Sequence, residues 1–550
     1  LIKQEDVDQN VGLCWRCKTP IEIMTKKQWF VAANKMNEDI VEQAKSMRWV
    51  PGHMYQRLEN WAHSMDWDWC ISRQRIFATP IPVWYCDDCH KVVLPSVEQL
   101  PVDPTIDKPD HSCSCGCNSF TPEEDVLDTW MDSSITPLTI ANWPNEGWEN
   151  VYPATLRPQG HDIIRTWAFY TILRCYALTG EKPFDEIVVN GMVFGEDGHK
   201  MSKSLGNVIA PEEVIEEYGA DALRLWSANS VPGADVPFGW KDIKHAYKFL
   251  RKFWNAFRFI SMHLDENVSD NLSENNIIDK WILSKLNRLN QTVTQAFEEY
   301  NFATAEQAIY DFVWHDFCDE YIEAVKYRLY EDIDSTSDAK YTLKTVIETT
   351  LALMAPITPF FADTVNQYLG NDSMALHQGG WPELNDELIN DDVEIVGSYA
   401  IDIIDELRRY KSSKGIPLNQ PLNTVNIYTT NVEKVELTIE DIKNTNKVDN
   451  ITVVNGKPDL HEKVLAIEPV MSKVGPEFKQ DAKKIIDYIS NNNPEEIAKT
   501  LDEKGEVQVD NVAFTNEHIT VVDSELVSKT GEVVDILKTE KYNILLEVQQ

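Results

Sequence analysis

The sequence predicts an α/β fold built on a doubly wound parallel sheet, followed by a helical bundle and a small second α/β domain. Residues 28–240 alternate short apolar runs with helical segments, which indicates strands covered by helices on both faces. Residues 241–400 carry apolar residues at helical spacing almost throughout, a pattern typical of packed helices. Tryptophan usage changes with this division, since 13 of the 17 tryptophans lie in residues 1–240.

The predicted sheet is clearest between residues 152 and 219. "YPATLRPQG" (152–160) predicts a strand and a turn, and the apolar run that follows it predicts a helix. "EIVVNGMVF" (186–194) is a continuous apolar run suited to a buried parallel strand. A second helix is expected to begin at Pro211, with acidic residues in its first turn, and to stop at Gly219.

Composition argues against two broad classes of protein. The 550 residues contain no uninterrupted apolar run of about 18 residues, so no membrane-spanning helix is expected. A net charge of −38 argues against bulk non-specific binding of nucleic acid but leaves room for a local basic stripe. The chain begins at Leu1 without an initiator Met or a signal peptide, and we expect it to lack the N-terminal part of its protein.

Two lysines three residues apart lie in "GHKMSKSLGN" (198–207), directly after the second predicted strand. Ligands of open α/β sheets bind beyond the carboxyl ends of the strands. Two mobile ammonium groups at that edge suit a polyphosphate, which lysine binds as a point charge. A solvated basic turn is the alternative, and the strand before the loop and the helix after it favour the phosphate site.

The pentapeptide Lys200-Met201-Ser202-Lys203-Ser204 resembles in full the KMSKS signature of the class I aminoacyl-tRNA synthetases. These enzymes have a Rossmann-like core, condense an amino acid with Mg²⁺-bound ATP to an aminoacyl-adenylate, and then acylate a tRNA. The resemblance implies that the five residues bind ATP and that Lys200 and Lys203 are catalytic, stabilising the pyrophosphate that leaves. Preorganised cations act most strongly on charge that develops in a dry site.

A second element of the same site lies in "RPQGHDIIRTWAFY" (157–170). Gly160 permits close approach at a strand end, and Asp162 can accept hydrogen bonds from ribose hydroxyls near the free N–H groups of a helix start. A helix cap is the alternative use of such a sequence. Placed before a KMSKS loop, Gly160, His161 and Asp162 resemble the ATP-ribose element of the family and are implied to bind ATP.

Longer segments resemble the valine-specific branch of this family in its archaeal form. "DWDWCISRQRIFATPIPVWYC" (66–86) matches the DWCISRQR…IPVWYC run of that branch, and the resemblance covers nearly all of residues 11–425. The isoleucine-specific sibling usually has Val-Trp-Phe-Asp-Ser-Gly where this chain has Thr-Trp-Met-Asp-Ser-Ser (129–134), which favours valine. Within this segment Trp130 is implied to line the pocket for the substrate side chain, and a buried core Trp is the alternative.

The resemblance implies valine–tRNA ligase activity, with valine, ATP and tRNA(Val) as substrates, in a cytoplasmic monomer. An isoleucyl-tRNA synthetase sibling and a non-catalytic tRNA-binding paralogue stay open as alternatives. The second family signature, His-Ile-Gly-His, is not in this sequence, and "PGHM" (51–54) lies in the wrong order to replace it. We therefore expect this chain to hold only the C-terminal half of the nucleotide fold and to be inactive or barely active alone.

The cysteines indicate a metal site. Eight of the ten lie at or before Cys117, and their CxxC and CxC spacing in a large chain without a signal peptide favours a metal over disulfides. A predicted insertion at residues 84–120 contains four cysteines with the spacing of a closed tetrahedral zinc knuckle. They are Cys86, Cys89, Cys113 and Cys115.

Other ligand choices stay open around this knuckle. Cys117 competes with Cys113 or Cys115, and His90 or His111 could substitute for a cysteine. A second pair, Cys14-x-x-Cys17, is half of a site whose partner pair lies upstream in the family, so these two thiols are expected to be free here.

A basic helix is predicted directly after the core. "KDIKHAYKFLRKFWNAFRFI" (241–260) has six basic residues and one acidic residue. One face of the helix is expected to carry Lys241, Lys244, Lys248 and Arg251. A solvated charged face is the alternative to a contact with the tRNA backbone, and "RRYKSSKG" (408–415) is a second, weaker candidate for such a contact.

The sequence divides into four predicted domains. They are the end of the editing insertion (1–27), the class I catalytic core (28–240), a helical anticodon-binding domain (241–425) and a C-terminal α/β domain (426–550). For the last domain the sequence offers only the hypothesis of an appended tRNA-binding module.

Overall fold

The computed structural model describes residue 5 and residues 10–14, 17–203, 206–264, 276–331, 333–370, 376–528 and 531–549. The chain forms two compact units. The first comprises Leu1–Val208 and Val231–Phe238, and the second comprises Ile209–Ser230 and Gly239–Gln550. The four-domain division stays a prediction, and residues 209–230, which it assigns to the catalytic core, belong to the second unit.

The first unit combines short strands with a few helices. Its described strands are β1 (Phe30–Val31), β2 (Arg48–Val50), β3 (Trp69–Cys70), β4 (Ser72–Arg73), β5 (Trp84–Cys86), β6 (Val92–Val93), β7 (Phe120–Pro122), β8 (Val126–Leu127), β9 (Ala154–Gly160), β10 (Phe184–Asn190), β11 (Val193–Phe194) and β12 (Val236–Pro237). Its described α-helices are α1 (Asn37–Lys45), α2 (Tyr55–His63), α3 (Thr129–Ser133), α4 (Thr136–Ile140) and α5 (Phe169–Thr179).

A parallel sheet of three strands, in the order β2-β10-β9, organises the first unit. Ile187 at its centre pairs with Trp49 on one side and Arg157 on the other. Helices α1, α2 and α5 contribute to the buried core that contains Ile187. Because the strands are parallel, their carboxyl ends at Val50, Gly160 and Asn190 lie at the same edge of the sheet.

The run 186–194, predicted as one strand, is interrupted. Strand β10 ends at Asn190, and after two residues β11 pairs with β12 in a separate parallel ladder. The interruption has a steric cause, because Gly191 packs so closely on the carbonyl oxygen of Ala234 that a Cβ there would clash. Glycine thus allows two backbone segments to touch at the sheet edge.

The second unit is mainly helical in its first half. Its described α-helices are α6 (Pro211–Tyr218), α7 (Ala220–Ala228), α8 (Trp240–Ser261), α9 (Ile277–Glu298), α10 (Phe302–Asp311), α11 (Ile322–Glu331), α12 (Thr336–Met354), α13 (Pro359–Tyr368), α14 (Asp391–Ser413), α15 (Val432–Glu436), α16 (Ile439–Asn446), α17 (Met471–Phe478), α18 (Ala482–Asn491) and α19 (Pro494–Lys504). Its described strands are β13 (Leu422–Tyr428), β14 (Val448–Val454), β15 (Leu460–Pro469), β16 (Val507–Val509), β17 (Val512–Phe514), β18 (Ile519–Ser528), β19 (Val534–Lys538) and β20 (Leu545–Gln549).

Helix boundaries in this unit follow the local sequence. The predicted helix from Pro211 to the Gly219 stop is confirmed as α6, with Gly219 at a φ of +85°. The apolar run 349–365 is divided between the end of α12 and the start of α13, which are separated at residues 355–358. Pro356 and Pro359 explain the separation, since each lacks the N–H that a continuous helix needs.

The C-terminal α/β domain is confirmed around a four-stranded sheet in the order β14-β13-β20-β19. Between β14 and β19 the chain makes a long excursion in which the antiparallel pair β15 and β18 packs with α18 and α19 around its own core. Asp441 of α16 joins this domain to the bundle. Its carboxylate accepts a hydrogen bond from Nη2 of Arg328 (2.6 Å), and Nη1 of the same arginine donates to Asp279 (2.7 Å).

None of the helices in the described residues combines the length and the apolarity that crossing a lipid bilayer would require.

Candidate active site

The lysine loop starts as a tight turn after β11. The N–H of Gly195 donates to the carbonyl of His199 (2.9 Å), and the N–H of Gly198 donates to the carbonyl of Gly195 (2.9 Å). Gly198 has a φ of +72°, which glycine adopts without strain. The turn brings Lys200 opposite Phe194 in an antiparallel bridge, so the first lysine emerges directly beside the strand end.

Two side chains that the sequence analysis missed fix the shape of this loop. Asn207 donates through Nδ2 to both carboxylate oxygens of Asp197 (3.2 and 3.3 Å), and its Oδ1 accepts from the N–H of Ser202 (2.8 Å). Asp197 also accepts from the N–H of His199 (2.9 Å), and this bond, followed by that of Asn207, lowers the pKa of Asp197. In the sequence, the only indication of this role is that Asp197 and Asn207 are short polar residues on either side of the pentapeptide.

The other predicted residues of the pentapeptide differ in exposure. Met201 and Ser202 are half-buried, while Lys203 is exposed in a turn. Ser204, predicted to bind ATP, lies outside the described residues. The loop therefore presents Lys200 and Lys203 to solvent and anchors the residues between them.

The Gly-His-Asp element lies at the neighbouring strand end. Strand β9 ends at Gly160. His161–Ile163 then form a single 3₁₀ turn, which leads into the helical segment whose last part is α5. Asp162 Oδ2 lies 3.5 Å from Lys200 Nζ. The structure thus brings together the two elements that the sequence analysis assigned to one nucleotide site, although they are 38 residues apart in the chain.

His161 is held by a carboxylate that the sequence analysis did not single out. Its Nε2 lies 2.6 Å from Asp235 Oδ1, and the same oxygen accepts from the N–H of Met192 (2.7 Å). The bond from Met192, followed by that from His161, lowers the pKa of Asp235. Asp235 precedes the two-residue strand β12, which carries too little periodicity to be predicted.

Trp130 lies at the start of α3 and is half-buried against the core of the first unit. Asp128 caps this helix by accepting from the N–H of Trp130 (3.3 Å). The other carboxylate oxygen of Asp128 accepts from Arg73 (2.7 Å) and from the indole N–H of Trp69 (3.3 Å). The indole of Trp130 is therefore placed by a buried, well-bonded cap and keeps part of its surface open.

Four cysteines converge at the β5 turn. Their sulfur atoms all lie within 4.8 Å of one another, with 3.6 Å from Cys86 to Cys115 and 3.5 Å from Cys89 to Cys113. This is the group that could hold a metal ion among the described His, Cys, Asp and Glu residues. One sulfur comes from the last residue of β5, one from the turn after it and two from the segment before β7.

Two of the alternative ligands have other hydrogen-bond partners. The sulfur of Cys117 accepts from the N–H of Ser119 (3.3 Å) and is not part of the four-sulfur group. His111 pairs through Nδ1 with the carboxylate of Asp110 (2.6 Å). Cys17, from the separate half-site, lies 2.6 Å from the hydroxyl of Thr19, and this contact lowers the thiol pKa to about 7.

The basic face of α8 is present in the second unit. The exposed residues of this face are Lys241, Lys244, Lys248 and Arg251. In the part of the chain that the structure describes, none of these four makes an ion pair, whereas the adjacent Lys252 pairs with Asp319 (2.7 Å). The opposite face, which includes Phe249, Phe253 and Phe257, is buried.

The second basic candidate, residues 408–415, is arranged differently. Lys411 is fully buried, and its ammonium donates to three backbone carbonyls, which include those of Gln420 (2.6 Å) and Asn446 (2.5 Å). Arg408 pairs with Glu323 (2.9 Å). Lys411 thus ties the bundle to the end of α16, and Arg408 pairs within the bundle, so neither cation is free for a tRNA contact.

Two family models match the chain. The model described as tRNA synthetases class I (I, L, M and V) matches residues 3–239, and the anticodon-binding domain of tRNA ligase matches residues 279–427. The first range contains the lysine loop, the Gly-His-Asp turn and the four cysteines, and the second contains most of the helical bundle.

Relatives and solved structures agree with these models. The chain is 56% identical over 552 residues to "Valine--tRNA ligase" of Methanothermobacter thermautotrophicus, covering 100% of this chain and 62% of the relative. It is 50% identical over 551 residues to "Valine--tRNA ligase" of Methanocaldococcus jannaschii, covering 98% of this chain and 62% of the relative. The chain thus spans less than two thirds of the length of these relatives.

A crystal structure of Mycobacterium tuberculosis methionyl-tRNA synthetase bound by methionyl-adenylate shares the fold. It aligns over 69% of each chain with a TM-score of 0.50 and 18% sequence identity. The two family models, which follow one another along the sequence, and the relatives at 56% and 50% identity show that the chain belongs to the class I tRNA synthetases of the isoleucine, leucine, methionine and valine group.

Proposed function

We propose that the full-length protein is a valine–tRNA ligase, which activates valine with ATP and transfers it to tRNA(Val). The observation that carries the proposal is the approach of Lys200 to Asp162, 3.5 Å apart at the carboxyl ends of adjacent parallel strands. Both residues belong to sequence elements that the family uses for ATP. The relatives at 56% and 50% identity, both named valine–tRNA ligases, supply the choice of amino acid.

In the first step, a carboxylate oxygen of valine attacks the α-phosphorus of ATP, the bond to the β-phosphate oxygen breaks, and pyrophosphate leaves. Lys200 and Lys203 stabilise the charge that develops on the departing phosphates. Gly160, His161 and Asp162 hold the nucleotide, with Asp162 accepting from the ribose hydroxyls. Mg²⁺ arrives with the ATP. In the second step, a hydroxyl oxygen at the 3′ end of the tRNA attacks the valyl carbonyl carbon, and AMP leaves.

Valine recognition is assigned to the segment around Trp130. A half-buried indole offers an apolar wall for a short branched side chain, and the Asp128 cap fixes where that wall stands. One methylene distinguishes isoleucine from valine, and such a difference is worth only ~1–3 kcal/mol in an apolar pocket. The isoleucine-specific alternative is therefore tested by comparing valine and isoleucine directly as substrates.

The four-cysteine group is proposed to hold a structural zinc ion. A tetrahedral site with Zn–S bonds of ~2.3 Å has sulfur–sulfur distances of ~3.8 Å. The Cys86–Cys115 and Cys89–Cys113 distances of 3.6 and 3.5 Å are within a few tenths of an ångström of that value, and no sulfur–sulfur distance exceeds 4.8 Å, so the four residues fit the ion. Four thiolates close the coordination shell, which suits a structural role and leaves no position for a substrate.

The tRNA contact is assigned to the basic face of α8. Four exposed cations without acidic partners in the described residues, on a chain of net charge −38, form a local site for phosphates. The match of residues 279–427 to the anticodon-binding domain of tRNA ligase supports assigning the bundle to the same substrate. As a translation enzyme, the protein is proposed to act in the cytoplasm as a monomer.

ATP–pyrophosphate exchange by the full-length protein tests the proposal. Valine should support exchange far better than isoleucine, and a preference for isoleucine would reassign the substrate. Lys203→Ala should lower the exchange rate about 10²- to 10³-fold, by analogy with the loss of one oxyanion donor. Lys45→Ala, which removes an exposed lysine at the end of α1, is the matched control and should leave the rate unchanged. Absence of exchange with either amino acid would favour the non-catalytic paralogue.

A further inference from the structure

The segment Val231–Phe238, which carries none of the signature residues, touches the ends of all three parallel strands of the first unit. At the end of β2, Gly233 packs against Pro51 and Met54, where an added Cβ would lie 2.7 Å from the Met54 side chain. At the end of β10, Ala234 packs on Gly191. Beyond Gly191, β12 pairs with β11 in register, Val236 with Val193 and Pro237 with Phe194.

One side chain of this segment reaches both nucleotide elements. Asp235 Oδ1 accepts from the N–H of Met192, two residues before the end of β11, and lies 2.6 Å from Nε2 of His161 in the Gly-His-Asp turn. The lysine loop continues directly from β11. The two elements that meet at Lys200 and Asp162 are therefore also joined behind the site by a single carboxylate oxygen.

We propose that Asp235 is a positioning residue for ATP, acting through His161 and through the backbone of Met192. This inference rests on the proposed function, because it assigns a role in the nucleotide site of that activity. Asp235 bonds the imidazole in one orientation and fixes the starting point of the lysine loop relative to the Gly-His-Asp turn. Binding groups that are held in place before the nucleotide arrives lose less conformational freedom when it binds.

The direct test is exchange kinetics of the full-length protein carrying Asp235→Ala. Loss of a hydrogen-bonded charge that orients a binding group should raise the KM for ATP about 10-fold, with the KM for valine nearly unchanged. Asp235→Asn keeps an oxygen that can accept from both partners and should recover most of the loss. The matched control is Asp185→Ala, which removes an exposed carboxylate paired with Lys182 on the same sheet (3.0 Å) and should behave as wild type.

A double-mutant cycle separates positioning from a general structural role. Because Asp235 also holds the backbone of Met192, only the part of its effect that passes through His161 should disappear, so Asp235→Ala should raise the KM for ATP by a smaller factor in a His161→Ala background than in the wild type. Multiplying effects, or equal increases in both KM values together with a lowered Tm, would overturn the proposal. An unchanged KM for ATP in Asp235→Ala would overturn it as well.

Failure of the proposed function gives a different result. If the wild type activates isoleucine instead of valine, the valine assignment is wrong, and the Asp235 comparison is made with isoleucine. If the wild type activates neither, the effect of Asp235→Ala on the Kd for ATP, measured by calorimetry, takes the place of the KM. In that experiment, equal affinities of the wild type and the variant would contradict the positioning role.

Discussion

The four-cysteine group gives the sharpest prediction, the effect of Cys113→Ser. Zinc bound by four ligands in small domains is worth ~10–16 kcal/mol at neutral pH. All four sulfurs lie within 4.8 Å of one another and form one coordination shell. If they share the binding free energy equally, each contributes ~2.5–4 kcal/mol. Removing one thiolate should therefore weaken zinc binding by about 10²- to 10³-fold.

The assay is competition with a chelator of known zinc affinity, applied to the purified wild type and to two single variants. Cys117→Ser is the matched control, since Cys117 has the same chemistry but its sulfur bonds the N–H of Ser119 outside the four-sulfur group. The control should retain one zinc per chain with wild-type affinity. Full zinc content and affinity in Cys113→Ser, or loss of zinc in Cys117→Ser, would refute the assignment of ligands.

Three further predictions use other contacts. Asn207→Ala should lower the rate of ATP–pyrophosphate exchange by up to about 10²-fold, because the lysine loop loses its cross-link, whereas Asn145→Ala, at an exposed local bond, should not. Burial raises the pKa of Glu306 from 4.5 to about 7, so this carboxyl destabilises the fold as pH rises through that interval. Glu306→Gln should accordingly raise the free energy of unfolding at pH 8 by up to ~3 kcal/mol, seen as a higher urea midpoint, and have little effect at pH 4. Arg328→Met leaves the buried carboxylate of Asp279 and the half-buried carboxylate of Asp441 without their cation and should cost ~3–5 kcal/mol, while Arg288→Met, at a more exposed pair, should cost less than ~1 kcal/mol by the same denaturant titration.

The parts of the fold that were predictable are those with a local physical cause. Strand β9 and helix α6 followed from apolar runs and from end signals, and Gly219 ends α6 as expected. The basic face of α8 followed from helical spacing alone. Each of these features depends on residues only a few positions apart, so the sequence carries the complete information.

The features that sequence reasoning missed depend on contacts between distant residues. The run 186–194 breaks because Gly191 meets Ala234, 43 positions later. Lys411 looked like a free surface cation, but it is buried because carbonyls from the following loop and from the end of α16 surround its ammonium. Among the cysteines, spacing left Cys113, Cys115 and Cys117 as competitors, and only the chain path before β7 separates them.

The contact between Lys200 and Asp162 shows how the nucleotide site can be ordered and still open to a ligand. The pair is 3.5 Å apart, with 65% of the lysine side chain and 40% of the aspartate side chain exposed. An ion pair this exposed contributes at most ~1 kcal/mol, so an incoming nucleotide can displace it at little cost. Phosphates offer Lys200 a stronger partner, and ribose hydroxyls offer Asp162 donors in place of the ammonium. The fixed part of the site is instead the backbone behind this pair, where Gly191, Asp235 and Asn207 hold the loop at the strand ends.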